Sequence, residues 1–203
     1  MKVICYIDGF NLYHGLKSKG WKRYYWLDLW AVAERFLKPG QNLVQVAYCT
    51  TLIKGDPLEQ QRQLDFIAAL QAARPAIQVA YGHYLTKPME CFACGNQYTR
   101  HEEKMTDVNI ACRMLTDAMD ENFDVALLMS GDSDLVPPVR VIRNRWPTKR
   151  VIAVFPPNRY SDALKKACHG YTTIGQEKLR QSLLPEQIEV HPGRTVSRPA
   201  DWA

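Results

Sequence analysis

Short apolar runs rich in β-branched residues restrict the fold of this chain more than any other feature. They occupy residues 3–7, 43–50, 77–84, 125–129 and 151–155. Segments with apolar residues at three- and four-residue intervals lie between them, most clearly at 58–73 and 108–119, and this spacing is typical of amphipathic helices. Strands that alternate with helices form parallel sheets buried on both faces. The pattern therefore predicts an α/β fold with a parallel sheet of about five strands flanked by helices.

The chain has the size and composition of a single globular domain. Of its 203 residues, 46% are hydrophobic and 23% are charged, which excludes a disordered or fibrous protein. We expect one domain over residues 1–184 and an extended tail over 185–203, where the periodicity ends. The apolar start of the chain ends at Asp8, which is too early for a signal peptide or a membrane span. We therefore expect a cytoplasmic protein with no membrane partner.

Four aspartates are placed where strands are expected to meet helices: Asp8, Asp107, Asp132 and Asp134. Asp8 and Asp132 follow separate strands, and the carboxyl ends of parallel strands share one edge of a sheet. Capping of a local turn explains Asp134 alone at least as well, and Asn11 suits either a helix N-cap or a phosphate contact. Taken together, the four carboxylates predict a site for Mg²⁺ or Mn²⁺, because hard cations prefer oxygen ligands.

Three separated blocks of the sequence resemble the motifs of NYN domains, in the LabA-like branch of the PIN-like nuclease superfamily. The blocks are Tyr-Ile-Asp-Gly-Phe-Asn at 6–11, Glu-Glu-Lys-Met-Thr-Asp-Val-Asn-Ile-Ala at 102–111 and Ser-Gly-Asp-Ser-Asp-Leu at 130–135. The resemblance extends over about residues 3–174. It implies a Rossmann-like (PIN-like) fold and a metal-dependent endoribonuclease whose acidic site contains Asp8, Asp107, Asp132 and Asp134, with Asn11 beside them. Because some relatives are regulatory factors, an RNA-binding module with little or no cleavage stays the alternative.

RNA is the partner that this interpretation predicts, and a net charge of +5 mildly favours a polyanion. The basic residues suited to the phosphate backbone are Lys17, Lys19, Lys22 and Arg23 after the first helix, and Arg159, Lys165 and Lys166 near the last. Each of these alone is equally compatible with an ordinary solvated surface. Aromatic and basic residues also concentrate at 20–30, where a packed connector is favoured over base stacking. No feature of the sequence favours one oligomeric state.

One pair of cysteines has the spacing of a zinc knuckle. Cys91 and Cys94 form a Cys-x-x-Cys motif, and His101 downstream and His83 upstream supply ligand types that complete a four-ligand site. A single such pair is weak evidence, so a reduced loop without metal is the favoured interpretation.

Two other Rossmann-like classes fit less well. A haloacid-dehalogenase-type phosphatase requires Asp-x-Asp after the first strand, whereas Gly9 and Phe10 follow Asp8. Dinucleotide binding requires a Gly-x-Gly-x-x-Gly turn, which does not follow that strand.

Overall fold

The structure is a computed structural model that describes residues 1–202, and of residues 100–102 only the backbone. The strands, in chain order, are β1 (Lys2–Asp8), β2 (Asn42–Thr50), β3 (Ile77–Tyr81), β4 (His83–Glu90), β5 (Gln97–Lys104), β6 (Val125–Met129), β7 (Arg150–Phe155), β8 (Gly170–Thr173), β9 (Gln187–His191) and β10 (Arg194–Ser197). The helices are α1 (Gly9–Ser18), α2 (Leu29–Glu34), α3 (Pro57–Ala73), α4 (Thr106–Met119), α5 (Val136–Arg145), α6 (Asp162–Ala167) and α7 (Gln176–Arg180). Short 3-10 turns occupy Lys22–Tyr25, Ser133–Leu135 and Ala200–Trp202.

Six parallel strands form the central sheet in the order β3-β2-β1-β6-β7-β8. Strand β1 lies in the middle and is buried on both faces, as its continuous apolar run predicts. Val3, Cys5 and Ile7 point into the core under α1, α2 and α3. Ile4 and Tyr6 point into the opposite core, under α4, α5 and α6. The predicted α/β architecture of one domain with a flanked parallel sheet is confirmed.

The connections of the sheet place a crevice at the carboxyl end of β1. From β1 the chain moves outward to β2 and β3 on one side, then returns to β6 on the other side and continues to β7 and β8. Ligands of open parallel sheets bind at such a reversal of strand order. Asp8 ends β1, and residues 130–135 directly follow β6. The sequence of strands therefore directs both acidic segments to the same crevice.

Two predicted boundaries differ from the structure. The predicted strand 77–84 stops at Tyr81, and the chain then leaves the sheet as the antiparallel hairpin β4-β5. Gly82 marks the break because a Cβ atom there would lie 2.5 Å from the Lys104 carbonyl oxygen and 2.6 Å from the Thr51 hydroxyl. The helix predicted over 108–119 begins two residues earlier, at Thr106, shortly after β5 ends at Lys104. Strand β8, the sixth of the sheet, was not predicted.

The C-terminal segment is folded rather than extended. Strands β9 and β10 form a hairpin around Gly193 (φ 79°), and this hairpin packs against α3. Ile188 and Val190 alternate along β9 and pack on the core, and Val196 of β10 is buried. The expectation of an extended tail overlooked this two-residue alternation, which is the signal of a half-buried strand.

The aromatic stretch after α1 is a packed connector, as favoured. Tyr24 and Trp26 are fully buried, and the Trp26 indole donates a hydrogen bond to the Pro185 carbonyl at 2.8 Å. Within residues 1–202, no helix has both the length and the apolar character needed to cross a membrane.

Candidate metal centre and the adjoining cavity

Asp8 connects the first strand to the first helix and to the segment after β6. It is the N-cap of α1, and its Oδ1 atom accepts a hydrogen bond from the backbone N–H of Asn11 at 2.9 Å. Its Oδ2 atom accepts a hydrogen bond from the Ser130 hydroxyl at 2.9 Å. Only 3% of Asp8 is exposed. Burial raises the pKa of Asp8, and the nearby charges of Asp132 and Glu103 raise it further.

The turn after β6 holds its two aspartates by local hydrogen bonds. The Asp132 Oδ1 atom accepts from the backbone N–H of Asp134 at 2.9 Å, so Asp132 caps the 3-10 turn. The backbone N–H of Asp132 donates to the Ser130 hydroxyl at 3.0 Å. Asn11 reaches this turn from α1, because its Oδ1 atom accepts from the Gly131 N–H at 3.1 Å. Asn11 thus joins the two acidic segments across the crevice.

Asp107 faces the same crevice from the first turn of α4. Burial is the main cause that raises its pKa, to about 7, and repulsion by Asp8, Asp132, Glu103 and Asp134 adds to it. The other three predicted aspartates therefore all lie within electrostatic reach of Asp107, although the four residues come from three separate parts of the sequence.

Glu103 is a fifth acid of this cluster that was missed by the sequence analysis. It lies near the end of β5, and its Oε1 atom accepts hydrogen bonds from the Thr51 hydroxyl at 3.2 Å, the Thr106 N–H at 3.3 Å and the Thr106 hydroxyl. Its charge raises the pKa values of both Asp8 and Asp107. Its place within the acidic block 102–111, four residues before Asp107, is the signal that could have identified it.

The donor set of the cluster fits a hard divalent cation. Carboxylate oxygens are its only charged groups, and no described basic side chain forms an ion pair with Asp8, Glu103, Asp107, Asp132 or Asp134. Among the described side chains, no three Asp, Glu, His or Cys residues are close enough to share one ion. Mg²⁺ commonly binds one or two carboxylates directly and keeps several waters. Such an ion matches this loosely spaced set better than a fully protein-ligated one.

A cavity of about 620 Å³ adjoins the acidic cluster. Its walls come from α1, the end of β2, the start of α3 and the C-terminal 3-10 turn. Thr51 lines the cavity and also donates its hydroxyl to Glu103, so the two spaces share a wall. Tyr48 lines the cavity as well. Burial raises the pKa of Tyr48 to about 12, and the charge of Asp8 contributes to this rise. No sequence motif predicts this cavity, because its lining residues are far apart along the chain.

The predicted basic residues divide between this region and other surfaces. Lys17 and Lys22 line the cavity. Lys17 and Arg159 both act on His14, whose pKa is lowered first by burial and then by these two charges. The Arg159 backbone also lies directly against Gly131, where a Cβ atom would be 2.8 Å from the Arg159 carbonyl carbon.

The other basic residues are not brought to the acids by any described contact. Lys19 is exposed at the end of α1, and Arg23 lies 5.7 Å over the Tyr24 ring. Lys165 lies 4.4 Å over the Tyr171 ring, and Lys166 is exposed on α6.

The cysteine pair lies at the tip of the β4-β5 hairpin, where Cys91 and Cys94 bracket a tight turn closed by the Gly95 N–H donating to the Cys91 carbonyl at 2.8 Å. Hydrogen bonds from Ala93, Cys94 and the Cys94 thiol lower the pKa of Cys91. His83 lies at the opposite end of β4, roughly 26 Å from Cys91 at 3.3 Å per strand residue. His83 therefore cannot complete the zinc set that the sequence suggested. The His101 side chain lies outside the described residues.

The model of the NYN domain matches residues 2–175. The chain is 27% identical over 246 aligned positions to 6-hydroxy-3-succinoylpyridine 3-monooxygenase of Pseudomonas putida, covering all of this chain and 75% of that protein. A crystal structure of a protein of unknown function from Vibrio parahaemolyticus superposes with a TM-score of 0.55 at 20% identity, covering 87% of this chain and 94% of that one, which supports the fold. Since the family model spans most of the sequence, the chain belongs to the NYN domain family.

Proposed function

We propose that this chain is a metal-dependent endoribonuclease of the LabA-like branch of the NYN domains, which hydrolyses RNA phosphodiester bonds with Mg²⁺ or Mn²⁺. One observation carries the proposal: the buried Asp8 and the partly buried Glu103, Asp107 and Asp132 lie together at the switch point of the sheet with no described cationic partner, and the pKa of Asp107 is raised to about 7. Uncompensated buried charge of this kind is costly, and a divalent cation is the natural compensator. Membership of the NYN family supports a nuclease of the PIN-like type.

Each residue of the site has its own role in the proposed hydrolysis. Asp8 and Asp132 would hold the ion, which supplies charge neutralisation and an activated water when bound. Asp107 and Asp134 would bind a second ion or hold metal-bound waters through hydrogen bonds. Asn11 fixes the turn after β6 through its Oδ1 atom, which leaves its amide N–H groups to donate to a phosphate oxygen. Lys17 and Arg159, whose charges both act on His14 of α1, would attract the phosphate backbone.

The test compares RNA cleavage by the wild-type protein, Asp132→Asn and Asp56→Asn, each with Mn²⁺ and with EDTA. Asp56 is the matched control, because it caps α3 through its side-chain oxygen but lies exposed and outside the acidic cluster. Asp132→Asn should lower cleavage roughly 10- to 100-fold or more, whereas Asp56→Asn should leave it unchanged. Cleavage that persists in EDTA, or that Asp132→Asn does not reduce, would refute the metal-dependent site.

The alternative is an RNA-binding NYN module with little or no cleavage. It predicts salt-sensitive RNA binding in EDTA that Lys17→Glu weakens, with no metal-dependent product at any protein concentration. A gel-shift titration run beside the cleavage assay separates the two functions.

A second candidate is oxygenation of a hydroxypyridine-like ring. It is favoured by the name of the Pseudomonas putida relative and by an aromatic cavity that borders the acids. This function predicts that a hydroxypyridine carboxylic acid binds the protein, and that oxygen is consumed when a reductant is added. Calorimetry and an oxygen electrode test both steps.

A further inference from the structure

The cavity beside the acidic cluster has a lining suited to one kind of ligand. Tyr13, Tyr25 and Trp202 form a row of rings along one wall, with centroids 5.0 Å apart for the first pair and 5.5 Å for the second. Rings so placed present faces and edges on which a planar aromatic group can stack. Lys22 and Lys54 are exposed at the rim, where they favour an anionic substituent. The volume of about 620 Å³ falls within the usual range for small-molecule pockets.

The cavity lies directly beside the acidic cluster. Gly9 follows Asp8 directly and lines the cavity, and a Cβ atom on Gly9 would lie 2.6 Å from the Tyr48 ring. Thr51 spans the shared wall through its hydrogen bond to Glu103. A ligand in the cavity would therefore lie beside Gly9, the residue that directly follows Asp8, and beside Thr51, which contacts Glu103.

The C-terminal segment completes the aromatic wall. Trp202 and Asp201 lie on the 3-10 turn Ala200–Trp202, beyond the part of the chain that the family model matches. Asp201 is fixed to α3 by an ion pair with Arg62 at 2.8 Å, and Arg194 of β10 pairs with Asp65 of α3 at 3.2 Å. The folded C-terminal hairpin thus carries Trp202 to the cavity and holds it there.

We propose that this cavity binds one nucleotide of the RNA strand, with its base against the Tyr25–Trp202 wall and its phosphate directed toward Lys22, Lys54 and the acidic crevice. The placement beside the scissile bond rests on the proposed ribonuclease function, whereas binding of the nucleotide does not. Stacking on aromatic rings tolerates every base, so the cavity selects a nucleotide rather than a particular sequence. The C-terminal segment becomes part of the substrate site.

The experiment measures binding of nucleoside 5′-monophosphates to the full chain by calorimetry in EDTA, which removes any dependence on metal or cleavage. Trp202→Ala should weaken binding roughly 5- to 100-fold, the range expected for the loss of one stacking ring. Lys54→Glu, a change at an exposed position that leaves the core untouched, should weaken binding of the monophosphates more than binding of the uncharged nucleosides. Phe92→Ala is the matched control, because Phe92 is a fully exposed aromatic residue at the tip of the β4-β5 hairpin.

The outcomes separate this inference from the proposed function. Binding that both cavity variants weaken and Phe92→Ala does not supports the cavity assignment, even if the protein proves unable to cleave RNA. No nucleotide binding, or equal binding by all variants, overturns the assignment even if cleavage is observed. A hydroxypyridine carboxylic acid that binds in the cavity more tightly than every monophosphate overturns the nucleotide as its ligand. Thermal melts of each variant confirm that the fold is retained.

Discussion

Replacement of Asp107 by asparagine tests the electrostatic argument directly. The crevice raises the pKa of Asp107 from an ordinary value near 3.9 to about 7. Below about pH 4 the carboxyl is protonated in both folded and unfolded chains, so it has no effect on stability. As the pH rises from about 4 to about 7 the unfolded chain releases this proton and the folded chain retains it, so the folded state loses stability throughout this window. Asp107→Asn removes this loss and should therefore stabilise the metal-free protein at high pH.

The size of the effect follows from the same pKa. A rise from 3.9 to about 7 corresponds to about 4 kcal/mol at 1.36 kcal/mol for each pH unit. Asp107 is only half buried, so solvent screening reduces this to about 2 kcal/mol. Loss of a negative charge from the first turn of α4 costs about 0.5 kcal/mol. We therefore expect Asp107→Asn to raise the free energy of unfolding by roughly 1–2 kcal/mol at pH 8 and very little at pH 4.5.

Urea unfolding in EDTA at pH 4.5 and pH 8 measures both values. Asp162→Asn is the matched control, because Asp162 lies in the first turn of α6 and is exposed. Its loss should destabilise the protein slightly at pH 8, which is the ordinary helix-terminus effect and has the opposite sign. Saturating Mg²⁺ should cancel the advantage of Asp107→Asn. Equal stability differences at the two pH values, or a destabilised Asp107→Asn protein at pH 8, would refute the crowding of the carboxylates.

Three further predictions follow from the same structure. Mg²⁺ or Mn²⁺ at about 100 times its dissociation constant should stabilise the wild-type protein by about 2.7 kcal/mol, which is measured as a higher Tm. The Tm of Asp132→Asn should rise much less, and an equal rise in both proteins would place the ion elsewhere. Gly131→Ala should lower the free energy of unfolding in urea by about 1–3 kcal/mol, because its Cβ would press on the Arg159 backbone. Gly175→Ala, with open space around it, should change that free energy by less than about 0.5 kcal/mol. Similar values for the two variants would contradict the close approach at Gly131. Protein purified without a His-tag should contain zinc below about a tenth of stoichiometry by elemental analysis, and near-stoichiometric zinc lost in Cys91→Ser would instead establish a site at the hairpin tip.

Local sequence patterns predict the central sheet and the aspartates at its edge. They do not predict elements whose pattern is short or interrupted. The run 3–7 predicted a strand buried on both faces, and β1 is such a strand. The run 77–84 predicts a single strand, and only the close approach of Lys104 and Thr51 to Gly82 shows that the chain leaves the sheet there. Ile188, Val190 and Val196 are interspersed with proline and charged residues, which obscures their alternation. Whether such an alternation forms a half-buried strand depends on packing against α3, which the local sequence does not show.

The sequence by itself determined a parallel α/β domain with aspartates at the ends of its strands, because strand period, helix period and the residue after a strand are local properties. The three motif blocks at 6–11, 102–111 and 130–135 indicated the NYN family by resemblance. Only the tertiary structure decided that Glu103 joins those aspartates, that burial together with repulsion by its neighbours raises the pKa of Asp107 to about 7, and that Trp202 closes an aromatic cavity beside them. These features depend on contacts between distant segments, such as the hydrogen bonds from Ser130 to Asp8 and from Thr51 to Glu103. Such contacts are set by strand order and packing, which no local pattern encodes.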